Sequence, residues 1–168
     1  MQFQLNLINV LSEQRKYSEA NNLIDEVLSK DPQNVNLLFA KAKIIRGLGK
    51  LDEALEILKS LYEKNNNDKN IAVSLAFTLN QMQRYQSAIE IYEKIIADDE
   101  NFFPAIYNCG LIYLNQRIDI KKAIILLEKS LVIQSNNIEL LLSLAAAYEE
   151  VYRFKDAISL IEKAMLIN

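Results

Sequence analysis

Residues 84–96 read RYQSAIEIYEKII and residues 153–165 read RFKDAISLIEKAM, and the same phrase occurs three more times, as KYSEANNLIDEVL, KLDEALEILKSLY and DIKKAIILLEKSL. The alanines these copies share, Ala20, Ala54, Ala88, Ala123 and Ala157, stand 34, 34, 35 and 34 residues apart. A fixed period of this length constrains the fold more than any other feature of the chain, because it marks one supersecondary unit written in tandem.

Within each phrase the apolar residues fall three and four apart, as with Tyr85, Ala88, Ile89, Tyr92, Ile95 and Ile96, which places them on one face of a helix. A second helical pattern precedes each phrase, for example Ile71, Leu75, Ala76 and Leu79, with a short polar turn such as NQMQR between the two. The unit is helix, turn, helix. Two helices cannot bury their apolar stripes alone, so successive units must stack and share a core. The alanine column and a second small column on the preceding helices, Ala42, Ala76, Gly110 and Ala145, let the helix axes approach, while Tyr17, Leu51, Tyr85, Ile120 and Phe154 supply bulk at the turns.

The period, the small column in the first helix, the aromatic-x-x-Ala in the second and Asp31-Pro32 after it resemble tetratricopeptide repeats. The resemblance covers nearly the whole chain as one domain, residues 1–168, with repeats at 1–34, 35–68, 69–102, 103–137 and 138–168. It implies an all-α fold, an α-solenoid of tandem helix-turn-helix repeats wound into a right-handed superhelix, whose first helices line a concave groove that binds peptides or proteins. The chain departs from the family pattern in places. Proline after the second helix occurs only at Pro32, with Asn66, Glu100 and Ser135 in the equivalent positions. Lys41 stands where other repeats have Leu7, Leu75, Cys109 and Leu144, and Gln4 where they have Leu38, Ala72, Ile106 and Leu141. The extra residue of the fourth repeat falls in the NQRIDI turn.

Composition narrows the function. A net charge of -3 gives no general attraction to phosphate backbones or anionic membranes, so nucleic acid is not an expected partner. One cysteine allows no internal disulfide, and without histidine the usual zinc sets cannot be assembled. No cofactor or metal is expected. The start, MQFQLNLINVL, is neither signal peptide nor anchor, which favours the cytoplasm. Cys109 falls on a core column and reads as a packed thiol, the pairs Asp98-Asp99 and Glu149-Glu150 read as solvated acids, and NNNDKN at 65–70 reads as a loop. No enzyme motif is present. Pentatricopeptide and Sel1-like arrays fit poorly, because the groove is poor in Lys and Arg for RNA and Sel1-like repeats are glycine-rich and slightly longer.

By the family's geometry, the exposed face of the first helices carries Leu5 and Asn9, then Phe39 and Lys43, Val73, Phe77 and Asn80, Tyr107, Asn108 and Leu111, and finally Leu142 and Glu149. This set is more apolar than a solvated stripe. The clamp by which related domains hold the acidic tails of heat-shock chaperones is missing: Asn9 matches, but the other four places hold Leu5, Ala40, Asn70 and Ser74. The expected function is therefore a protein-interaction module that takes an apolar or amphipathic partner segment in its groove. The alternative is a structural scaffold that self-associates or belongs to a larger multi-repeat protein. Ile158, Met165 and Ile167 lie where inner repeats meet a neighbour, so the last helix is expected to be covered by another molecule or by further chain.

Overall fold

The structure is a computed structural model that describes residues 2–65 and 68–167. Asn66, one of the positions noted above for its missing proline, lies outside the described residues. Among the described residues there are ten helices and no strand: α1 (Gln2–Glu13), α2 (Tyr17–Leu28), α3 (Val35–Gly47), α4 (Leu51–Lys64), α5 (Lys69–Gln81), α6 (Tyr85–Asp98), α7 (Phe103–Asn115), α8 (Ile120–Ile133), α9 (Ile138–Glu150) and α10 (Phe154–Ile167). Ten helices are what five two-helix repeats require.

Short polar side chains start α3, α5 and α9. Asn34, Asp68 and Asn137 each accept a backbone N–H from the first turn, at 3.2 Å from Leu37, 2.8 Å from Asn70 and 3.0 Å from Leu140. Asp68 corrects the sequence reading of 65–70 as a loop: Lys69 and Asn70 already belong to α5, because the carboxylate satisfies two of its free donors. In α7 a proline in the first turn takes over this role, where its missing N–H costs nothing.

The odd-numbered helices all stop in the same way. Arg15, Gly49, Gln83, Arg117 and Tyr152 have positive φ between 52° and 79°. The following residue then donates its N–H back to the carbonyl five residues earlier, as with Lys16 to Leu11 at 2.8 Å and Arg153 to Tyr148 at 2.9 Å. This left-handed cap reverses the chain in three residues. The extra residue of the fourth repeat lies after the cap, where Asp119 accepts from the Lys122 N–H at 3.0 Å and starts α8.

The chain forms two compact units, Met1–Arg84 and Tyr85–Asn168. In the first, α1 and α2, then α3 and α4, form antiparallel pairs, with α3 also on α2 and α5 on α4 and α3. Ile8, Ala20, Ile24, Val27, Leu28, Leu37 and Ile44 make one cluster drawn from three helices, so the first pair completes its core only with α3. Each Ile, Leu or Val side chain of the cluster, fully buried, is worth about 1.5–3 kcal/mol. Lys41, in a column otherwise apolar, is accounted for by Asp25 of α2 at 2.7 Å.

In the second unit α7 packs on α6, α8 and α9, and α9 on α8 and α10. The column alanines of both units are buried, and a Cβ on Gly110 would stand 3.1–3.2 Å from Leu127 and Leu126 of α8. Glu93 of α6 accepts from the Tyr113 hydroxyl at 2.7 Å and from the Lys122 ammonium, and Glu128 of α8 accepts from the Tyr148 hydroxyl at 2.7 Å with Arg153 at 3.6 Å. Phe154 departs from expectation. Its counterpart Tyr17 lies against the backbone of Gly47 in the next helix pair, but Phe154 is 54% exposed and meets only the edge of Tyr152 at 5.9 Å among the ring contacts of the described residues.

Candidate partner-binding face

The residues singled out from the sequence lie on one side of the odd-numbered helices, and each unit presents its own set. In the first unit, Leu5 is half-buried against the core cluster and Asn9 is exposed. Asn9, Ser12 and Glu13 of α1 line a cavity of about 350 Å³ together with Lys43 and Arg46 of α3. Phe39 is half-buried, with the Lys43 ammonium 5.7 Å from its ring centroid. Phe77 on α5 is also half-buried, and the Arg46 guanidinium lies 4.9 Å from its centroid. Val73 and Asn80 flank Phe77 and are half-buried.

Arg46 is the residue that sequence reasoning missed. Its Nη1 donates to the Ser74 Oγ at 2.9 Å, to the Ser74 carbonyl at 3.3 Å and to the Thr78 Oγ1 at 3.3 Å, tying α3 to α5 while its flat guanidinium covers the Phe77 ring. A cation over an aromatic face is worth about 0.5–1 kcal/mol at a site still reached by water. The signal was available: Arg46 precedes Asn80 by one full period, so the register that selected Asn80 selects Arg46 as well.

In the second unit, Tyr107 is half-buried and stacks on Phe103, one turn earlier on α7, with centroids 5.5 Å apart and planes at 15°. Asn108 directs its amide to the Pro104 carbonyl at 2.6 Å, so one of its donors is already used within α7. Leu111 is half-buried, Leu142 of α9 is 48% exposed and Glu149 is exposed. Both units thus offer aromatic side chains held in place by a neighbour, with amides and charges around them.

Cys109 is fully buried, and burial, with the Glu93 charge adding to it, pushes its thiol up to about 12. Among the described residues no three His, Cys, Asp or Glu side chains gather as a metal site, and no helix is long and apolar enough to cross a membrane.

The family described as anaphase-promoting complex, cyclosome, subunit 3 matches residues 13–95. No curated protein matches the chain in sequence. Among solved structures, a thermophilic TPR protein of Thermus thermophilus superposes with a TM-score of 0.82 at 22% identity, over 98% of this chain and 89% of that one. A crystal structure of MamA gives a TM-score of 0.77 at 24% identity, over 95% of this chain and 93% of that one. MamA from Desulfovibrio magneticus RS-1, residue 41 to its end, gives 0.79 at 17% identity, over 99% and 93%. At such identities the likeness is one of fold.

Proposed function

We propose, from the premise that this chain has the tetratricopeptide-repeat fold, that it captures an apolar or amphipathic segment of a partner protein on the outward face of its odd-numbered helices. Repeats of this type are generally protein-interaction modules and typically scaffolds rather than enzymes. The observation that carries the proposal is the pair of aromatic rings Phe39 and Phe77, each half-buried and held by a cation, beside the cavity lined by Asn9, Lys43 and Arg46. Rings fixed in this way lose little entropy on binding, and aromatic and arginine side chains are where binding energy concentrates. Phe39 and Phe77 would anchor apolar side chains of the segment, and Asn9 and Asn80 would meet its backbone. An amphipathic helix or short extended peptide suits such a face better than an acidic tail.

The test uses peptides selected against the chain from a displayed random library, with binding measured by titration calorimetry. Phe77→Glu should weaken the selected peptides by about 2 kcal/mol or more. Its circular dichroism and melting temperature should stay close to the parent's, since the new carboxylate faces outward beside Arg46. A collapsed fold would put Phe77 in the core, and undiminished binding would move the site to another surface.

A further inference from the structure

On α4, α6 and α8 one particular position is buried beneath the odd-numbered helix that follows, and Asn21 at the same place on α2 is half-buried. The residue after the column alanine is 2% exposed at Leu55, 2% at Ile89 and 8% at Ile124, under α5, α7 and α9 respectively. On α10 the same position, Ile158, is 55% exposed, and Phe154 and Met165, four residues before and seven after it on the same face, are exposed too. The chain also carries a surface of the opposite kind. Leu7 and Val10 of α1 are 38% and 45% exposed, although their counterparts Leu75, Cys109 and Leu144, and Ile44, Thr78, Ile112 and Ala147, are all buried and Lys41 is half-buried. What distinguishes α1 is that no even-numbered helix of the described residues packs on this side of it, whereas α3, α5, α7 and α9 lie on α2, α4, α6 and α8.

Charge adds one point of complementarity between the two surfaces, with the contact of Glu128 and Arg153 as its precedent. The fifth residue after the column alanine is acidic at Asp25, Glu93, Glu128 and Glu162, with Lys59 the exception. The first three of these acids hold the helix pair that follows: Asp25 through Lys41 at 2.7 Å, Glu93 through Tyr113, and Glu128 through Tyr148 and through Arg153 at 3.6 Å. Glu162 has the same place on α10 and is exposed. Arg153 is the residue just after the left-handed cap, and the equivalent of Arg153 in the first helix pair is Lys16, also exposed.

We propose that the apolar face of α10 is covered by a second copy of this chain, docked head to tail, with the α1–α2 pair of one copy in the position of the next repeat and its Lys16 against Glu162 of the other. Leu7 and Val10 then lie over Ile158 and Met165, as α9 lies over Ile124. Such a contact is heterologous: it leaves one free surface of each kind at the ends, so it extends into a series or closes as a ring, but does not stop at a two-fold dimer.

Sedimentation equilibrium of the full chain tests this with two variants that block one surface each, Leu7→Asp/Val10→Asp and Ile158→Asp/Met165→Asp, all at exposed positions. The wild type should gain mass with concentration beyond a dimer. Each variant alone should be a monomer, and an equal mixture should form a dimer that grows no further, because one intact α10 meets one intact α1. Glu162→Lys should weaken the association severalfold, and Lys16→Glu in the same chain should restore it. That charge pair carries the test if either double variant fails to fold. A wild type that stays monomeric at all concentrations overturns the proposal. So does a dimer lost on blocking α10 but not α1, which would be a symmetric α10 contact, and so does association that neither block affects.

Discussion

Gly110 and the column alanines fix how near two helices come, and the tolerance is small: Leu127 and Leu126 already stand at contact distance from the position a Cβ would take on Gly110. Ala88 is fully buried in α6, so Ala88→Leu should lower stability by about 1–3 kcal/mol through overpacking while helicity at low temperature is retained. Thermal melts followed by circular dichroism read this, and an unchanged midpoint would mean that the column does not lie at a helix crossing. Ser130 makes the opposite case. Its hydroxyl is buried in α8 without a hydrogen-bond partner, so Ser130→Ala should be neutral or raise stability by up to about 1 kcal/mol in the same melts. The alanine column is legible in the sequence because its period is regular enough to align by eye. The bulk expected of Phe154 at its turn is not realised, since whether a large side chain is covered depends on the helix packed outside it and not on its own repeat.

At the level of elements, five left-handed caps stop the odd-numbered helices, yet only one of them is glycine. Any other L-residue in that conformation costs about 1–2 kcal/mol, partly offset by the entropy glycine loses on folding. Gln83→Gly, at an exposed cap, should therefore raise stability by about 0.5–1 kcal/mol, measured by denaturant unfolding. A loss would show that the side chain, not the backbone, matters there. The contact of α6 with the following pair has a pH signature. The hydrogen bond from Lys122, set against some cost of burial and helped by Tyr113, holds the Glu93 carboxyl below its ordinary value of 4.5. A depressed folded value means stability present above pH 4.5 and lost as the pH falls through the lower folded value. The pair is more than a third exposed, so screening limits its worth to about 1 kcal/mol or less. Melting temperature against pH should show Glu93→Gln below the wild type at neutral pH and level with it in strong acid. A gap that persists in acid would contradict the ion pair. The helices themselves are legible because their apolar residues recur at three and four. Arg46 is harder to read, because its partners Ser74 and Thr78 lie 28 and 32 residues away and only the fold brings them within reach.

At the scale of the whole molecule, a repeat array separates the residues that build it from the residues free to bind. The buried columns repeat closely, whereas the outward face changes from one odd-numbered helix to the next, from Asn9 to Lys43, Phe77, Leu111 and Ala146 at one and the same register. Periodicity therefore makes the scaffold readable and leaves the partner unnamed, since variation at a single register has no second copy to be compared with. The side-chain environment of the face is equally outside the reach of periodicity: the half-burial of Phe39 and Phe77 beneath Lys43 and Arg46 depends on rotamers that spacing does not specify. The most direct test of the binding face is a heteronuclear NMR titration of the chain with a library-selected peptide. Shift changes should centre on Asn9, Phe39, Lys43, Arg46 and Phe77. Changes confined to the outer surface of the even-numbered helices, or to α10, would contradict it.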